Sequence, residues 1–220
     1  MAVWNVVDER YARFPEGFFA RLDDGSDTGF YEQPRLVTHI DDGAIAMVSA
    51  LYDELGLSGP QAGHQLDLMS SWISHFSVAP STLTVVGMNA YELDRNPVAT
   101  DRVVLYLNTS PALPFADDSF DGAMCCVSVD YLVRPIEVFE EVARVVKPSH
   151  PFVCTFSNRC FPTKAIRGWT HTDDATHCSI VAEYFRLARG FGEPTVQRRV
   201  PPPGVRSHDP LYAVWAYTLD

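Results

Sequence analysis

One stretch, Leu113–Pro148, constrains the fold more than any other: LPFADDSFDGAMCCVSVDYLVRPIEVFEEVARVVKP. From Gly122 to Val129 it is a run of small and apolar residues, short and apolar enough for a strand buried on both faces. Pro135 suits the first position of a helix, because its φ is already set and its missing N–H is not needed there. Ile136, Phe139, Val142, Ala143 and Val146 then recur on one helical face, and Pro148 stops the helix. The apolar Phe152–Phe156 comes next. Strand, helix and strand in this order form a βαβ unit and imply a parallel sheet.

The remaining periodicities extend that sheet. Gln65–Met69, Leu83–Val86 and Arg102–Leu107 read as three earlier strands. Ser70 to Thr82 separates the first two with 13 residues, near the minimum for a parallel crossover, so a short helix is expected there. Tyr91–Arg95 is a helical turn stopped by Asn96-Pro97. Val37, Ile40, Ala44, Met47, Val48, Leu51 and Leu55 share one stripe, which predicts a long helix capped by Gly56. A short helix over Phe18, Phe19 and Leu22, broken by Asp23–Asp27, precedes it. After strand five, Thr172 is the expected cap of a helix with Asp173 and Asp174 in its first turn and a stripe through Ile180, Val181, Tyr184, Phe185 and Ala188. Gly190 closes it. Thr195–Arg199 and Tyr212–Thr218, joined by the Pro-rich loop 201–210, read as an antiparallel hairpin.

The expected class is therefore α/β: a Rossmann-like seven-stranded, mostly parallel sheet with helices on both faces and an antiparallel C-terminal hairpin strand. Residues 1–60 form a helical cap of the same domain, and residues 61–220 form the core. A length of 220 residues suffices for one domain. No apolar run approaches the ~20 residues that span a bilayer. The beginning MAVWNVVDER carries Asp8 and Glu9 without a basic flank, unlike a secretory or transit peptide. A net charge of −11 disfavours nucleic acid and anionic membrane as partners. Five cysteines, an odd number without a CxxC pair or a Cys/His cluster, predict reduced thiols, no metal site and an intracellular, cytoplasmic location. No motif speaks to oligomeric state.

In open α/β sheets ligands lie outside the carboxyl ends of the strands. Here those ends are Asp67–Trp72, Gly87–Asn89, Asn108-Thr109, Cys126–Tyr131 and Ser157–Arg159. Few of these residues are charged, which suits a nucleoside-containing cofactor better than hydrolytic chemistry. No Gly-x-Ser-x-Gly elbow and no GxGxxG follows a strand.

The wording LPFADDSFDGAMCCVSVDYL…EVFEEVARVVKP resembles the later half of small class I S-adenosylmethionine-dependent methyltransferases of the type 11 kind. Those proteins show a Leu-Pro-Phe loop, Ser-Phe-Asp before strand four and a helix ending in Arg-Val-Leu-Lys-Pro. The resemblance implies S-adenosylmethionine as cofactor, held by Asp67, Met69, Ser70 and Ser71 after strand one. Gly87, Met88 and Asn89 after strand two, Asn108 and Thr109 after strand three, and Cys126, Val127 and Ser128 after strand four would complete its site. The chain departs from the family in two places. Asp67–Ser74 has no glycine where the family has Asp/Glu-x-Gly-x-Gly-x-Gly, and Asn89 stands near the place of an acidic residue. Trp72 reads as a packing residue. Tyr31, Arg35, Asn158 and Arg159 are the candidate acceptor-binding residues, and His39 or Tyr131 the candidate base. The activity implied is methyl transfer to a small-molecule or protein acceptor. The alternative is a methyltransferase-fold protein without turnover that acts as a binding or regulatory subunit.

Overall fold

Seven strands form one sheet in the order β3-β2-β1-β4-β5-β7-β6. They are β1 (His64–Leu68), β2 (Thr82–Gly87), β3 (Asp101–Val104), β4 (Ala123–Cys126), β5 (Pro151–Phe156), β6 (Thr195–Arg198) and β7 (Tyr212–Tyr217). The first five run parallel, and β7 lies antiparallel between β5 and β6. This computed structural model describes residues 8–220; residues 1–7, part of the beginning read above for a leader peptide, lie outside the described residues.

Side-chain alternation along buried strands feeds two apolar layers. Phe152, Cys154 and Phe156 of β5 turn to one face, where they meet α4 (Pro135–Val145) and α6 (Asp174–Leu187). Val153, with Leu83, Val85 and Met124, turns to the other and joins Ala44, Met47, Val48 and Leu51 of α2 (Asp42–Glu54). The expected architecture is thus present, with helices on both faces. Phe139 of α4 is central: its ring lies 5.0 Å from Phe152 and 4.8 Å from Phe185, edge-on to both. Edge-to-face geometry adds about 0.5–1.5 kcal/mol per pair to the burial itself.

Several element boundaries differ from expectation, each for a local reason. No helix forms over Phe18–Leu22. Instead a 3₁₀ turn spans Glu9–Arg13, and Phe14, Phe18 and Phe19 cluster beside Tyr184 of α6. The long helix begins at Asp42, because Asp41 accepts the N–H of Ala44 at 2.8 Å and caps it there. Val37 and His39 therefore lie in the preceding loop, while Gly56, at φ +70°, takes the left-handed position just past the helix end. The crossover from β1 to β2 carries no helix. Its serine-rich run offers side-chain oxygens that compete with helical hydrogen bonding: Ser74 Oγ donates to Asp67, and Ser77 Oγ to Asp53. Asp173, not Thr172, caps α6, accepting the N–H of Thr176 at 2.9 Å. The Thr172 hydroxyl donates to the carbonyl of Gly168 and finishes the additional short helix α5 (Arg167–Thr170).

The remaining short helices are α1 (Asp27–Tyr31) and α3 (Ala90–Leu93). No helix among the described residues is long and apolar enough to cross a membrane, and all five cysteines are free thiols.

Phe139→Ala should cost about 3–5 kcal/mol of unfolding free energy, the range for removing a buried aromatic ring. Urea denaturation reads it directly, and a loss below about 1 kcal/mol would contradict the central place given to this ring.

Candidate functional site

The chain leaves β1 for β2 and β3 on one side, then returns to β4 on the other, so β1 and β4 flank the reversal in strand order. A cavity of about 520 Å³ opens at their carboxyl ends, within the size range of ligand sites and at the position where open α/β sheets bind them.

Its floor is made of two backbone turns in the left-handed region, Met69 at φ 54° after β1 and Val127 at φ 45° after β4. A β-branched residue rarely accepts this conformation, and each such position stores roughly 1–3 kcal/mol. Hydrogen bonds hold both turns. Val127 N–H donates to Thr155 at 2.7 Å, and the Ser128 hydroxyl donates to the carbonyl of Cys126 at 2.9 Å. Ser70 N–H donates to Val86 at 2.8 Å, stitching the β1 loop to β2.

Asp67, buried at the end of β1, fixes the rest of that loop. Its Oδ2 accepts from the hydroxyls of Ser70 at 2.7 Å and Ser74 at 2.6 Å. Desolvation pushes its carboxyl up to about 6, against the opposing pull of the two serines. The buried Asn96 donates to the carbonyl of Ser71 and to Ser74 Oγ. Among the described residues, the backbone N–H groups of Ser71, Trp72 and Ile73 meet no protein acceptor. The Trp72 indole N–H donates to Val37 and ties the loop to the chain ahead of α2.

After β2, Gly87 is required by space: a Cβ there would come within 2.3 Å of the Ser70 carbonyl oxygen. Met88 lines the cavity beside it. Asn89 lines it too, but its amide is already engaged. Its oxygen accepts the N–H groups of Tyr91 and Glu92, capping α3, and its nitrogen donates to the carbonyl of Tyr31. Asn108, after β3, is likewise committed. It donates to Tyr131 O and accepts from Val133 N–H, while Thr109 lines the wall next to it. Cys126, Val127 and Ser128 complete this side.

Glu92 also faces the cavity and was not read from the sequence. Its two oxygens accept from Arg35 N–H and Ser71 Oγ, both at 2.6 Å. The spacing Asn89-x-x-Glu92 is that of a capping box and could have drawn attention to it. The sequence reading also missed Phe161, Asp27 and Lys164. Lys164 is buried in a loop, and nothing in the pattern around it announces that. Its ammonium lies 2.9 Å from Asp23 and 3.3 Å from Asp27 and donates to the carbonyl of Gly25. Arg21 pairs with Asp27 at 2.7 Å. These contacts hold residues 21–28 against the cavity as its outer wall.

Tyr31, Arg35 and His39 come together on that outer side, with Phe161 among them. Phe161 lies 5.3 Å from the His39 ring and 6.0 Å from Tyr131. Partial desolvation lowers the pKa of His39, helped by nearby Arg35 and opposed by Glu92. Tyr131 is buried, its hydroxyl accepts from Phe161 N–H at 2.8 Å, and desolvation with nearby Asp130 pushes the phenol far upward. Arg159 reaches the rim while pairing with Asp209 at 2.9 Å. Asn158 does not line the cavity. Among the described residues, no group of His, Cys, Asp and Glu is arranged to hold a metal ion.

A family model described as a methyltransferase domain matches residues 69–154, from the loop after β1 through most of β5. Over this central segment the chain is similar to methyltransferase domains. The methyltransferase GfsG of Streptomyces halstedii is 28% identical over 153 residues, covering 64% of this chain. The alignment covers 54% of GfsG, so the chain spans about half the length of that relative. Two solved structures share the fold. The geranyl diphosphate C-methyltransferase of Streptomyces coelicolor, solved with Mg²⁺, geranyl diphosphate and S-adenosyl-L-homocysteine, superposes with a TM-score of 0.52 at 14% identity, covering 79% of this chain and 78% of that one. The [4+2]-cyclase SpnF gives 0.56 at 11% identity, covering 87% and 91%.

Asp67 carries a pH signature. Its carboxyl is raised in the folded state, so its contribution to stability is complete below the unfolded value of ~4 and is lost as pH rises through about 6. Two pKa units correspond to roughly 3 kcal/mol. Asp67→Asn keeps an acceptor for the serines and removes the titration. Between pH near 4 and pH near 8, the wild type should therefore lose roughly 3 kcal/mol more than the variant by chemical denaturation. Equal losses would show that Asp67 titrates normally.

Proposed function

We propose that this chain transfers a methyl group from S-adenosylmethionine to a small-molecule acceptor. The observation that carries this reading is the cavity at the β1/β4 reversal, with unpaired backbone N–H groups in the loop Ser71–Ile73 and the matched methyltransferase segment beneath it.

The residues present suit the cofactor. The free N–H groups after β1 are donors for a carboxylate or an amino-acid backbone. The Glu92 carboxylate keeps lone pairs beyond its two internal bonds and is an acceptor for ribose hydroxyls, a role that the amide of Asn89, engaged in capping α3, fills poorly. Gly87 keeps the space above the Ser70 carbonyl clear. Cys126, Val127 and Ser128 offer small walls for a flat base. When bound, the cofactor supplies a sulfonium methyl already activated for transfer.

The chain's own task is then positioning and exclusion of water. Residues 21–28, held by Lys164, cover the acceptor side, which favours a small molecule over a protein side chain. Of the two candidate bases, His39 fits and Tyr131 does not. A lowered imidazole pKa leaves His39 neutral and able to take a proton near pH 7. The Tyr131 phenol stays protonated and acts in positioning Phe161.

The fold alone does not decide between methyl transfer and other chemistry, and the glycine-free loop after β1 is what favours the rival reading of a protein without turnover. Calorimetric titration separates them. Binding of S-adenosylhomocysteine is expected, and Ser71→Trp should abolish it while far-UV circular dichroism stays unchanged. Absence of binding up to about 1 mM by the wild type would reject the enzyme and favour the scaffold. Unchanged affinity in Ser71→Trp would move the cofactor away from this loop.

A further inference from the structure

Arg35 is the one cavity cation whose charge the site leaves unanswered among the described residues. Arg21 pairs with Asp27, Arg159 with Asp209, and Lys164 with Asp23 and Asp27. Arg35 has no such carboxylate: its Nη2 donates to the carbonyl of Phe30 at 2.9 Å, and its Nη1 is buried without any hydrogen-bond partner. A buried donor left unpaired costs about 1–3 kcal/mol, more on a charged group, and native structures rarely tolerate one without a reason. The guanidinium is also held in place. It lies 4.5 Å from the Phe30 ring centroid, 5.8 Å from that of Tyr31 and 5.3 Å from that of Phe161, and the backbone N–H of the residue donates to Glu92.

We propose that Arg35 receives a carboxylate of the methyl acceptor, and that the acceptor is a monocarboxylic acid with a flat, apolar body lying against Tyr31 and Phe161, which line the cavity beside it. The proposal rests on the methyl-transfer reading for the word acceptor, and on the geometry alone for the carboxylate. Three points select this class. A guanidinium with a free Nη edge recognises a planar oxyanion, by paired N–H donation at best. Glu92, Asp24 and Asp27 also line the cavity, and their charge penalises a dianion such as phosphate more than a monoanion. The aromatic partners of the guanidinium come from α1 and from the loop beyond β5, whereas the cofactor residues proposed above cluster around the ends of β1, β2 and β4.

A cofactor carboxylate has the same chemistry, so the experiment separates the two sources. Wild type, Arg35→Gln and Arg35→Lys, each checked by thermal melting, are titrated in saturating S-adenosylhomocysteine with benzoate, trans-cinnamate and indole-3-acetate and with the three corresponding amides. At least one acid should bind wild type about tenfold or more tighter than its amide. The preference should vanish in Arg35→Gln and survive in part in Arg35→Lys. S-adenosylhomocysteine and 5′-methylthioadenosine, which lacks the amino-acid moiety, should bind Arg35→Gln as they bind wild type. No acid preferred over its amide, or a preference retained in Arg35→Gln, overturns the proposal. So does a selective loss of S-adenosylhomocysteine affinity with 5′-methylthioadenosine unaffected, which assigns Arg35 to the cofactor. Should Arg35→Gln fail to fold, the acid-to-amide ratio in Arg35→Lys decides, and an unchanged ratio refutes the proposal. If the wild type binds no S-adenosylhomocysteine yet prefers the acids in its absence, the methyl-transfer reading falls and the carboxylate site stands.

Discussion

The buried carboxylate of Asp67 is the anchor from which the site is built. It lies at the end of β1, between β2 and β4, and gathers the hydroxyls of Ser70 and Ser74. From there hydrogen bonds run outward without a gap. Asn96 joins Ser74 to the Ser71 carbonyl, Ser71 joins Glu92, and Glu92 holds the backbone of Arg35. One chain of polar contacts therefore links the sheet to the outer wall of the cavity. Such networks rigidify a structure when every member is satisfied. They also explain how a β1–β2 crossover can stand without a helix: side chains supply the partners that helical carbonyls would have supplied.

Strain and its compensation sit side by side here. Met69 and Val127 adopt left-handed backbone at the ends of adjacent strands, and neither is glycine. Two such residues store roughly 2–6 kcal/mol between them. The strands that impose the strain are buried on both faces and registered to their neighbours, so slipping to relieve it would move their side chains to the wrong layer. The sheet is thus the rigid element, and the turns above it take up the distortion. That places their amides at the edge of the cavity rather than in the body of the fold.

Much of the architecture was legible in the sequence because burial leaves a periodic mark. Leu113–Pro148 and the stripes of α2 and α6 report a two-layer core through apolar spacing alone, and each of the seven strands overlaps the run read for it, although β3 ends at Val104, short of the Leu107 expected. Three of the failures share a different cause. Ser70–Thr82, Asp41 and Asp173 are places where a side-chain oxygen captures a backbone group, and such captures depend on geometry that spacing does not encode. The site was legible to the same degree. Strand ends located most of the lining residues. The partners of those residues were not legible: Asn89 and Asn108 looked available for a ligand and are committed to the protein, whereas Glu92 and Phe161 looked unremarkable and face the cavity.

That exchange of roles accounts for the unusual wording after β1 and β2. If Asn89 caps α3 and fastens the segment around Tyr31, its amide has little capacity left for a ligand, and an acceptor must come from one helical turn further on, where Glu92 stands. Once Glu92 faces the cavity, the carboxylate needs donors of its own, and Ser71 Oγ and Arg35 N–H provide them. Glycine at position 71 would lose one of these and leave the carboxylate less fixed. Serine in the loop is thus tied to the position of the acidic residue, and the two departures from the family pattern become one structural arrangement. The same arrangement draws Arg35 inward by its backbone while leaving its guanidinium without a carboxylate partner. A cation in the cavity of a chain with net charge −11 is then a consequence of how the loop after β1 is held.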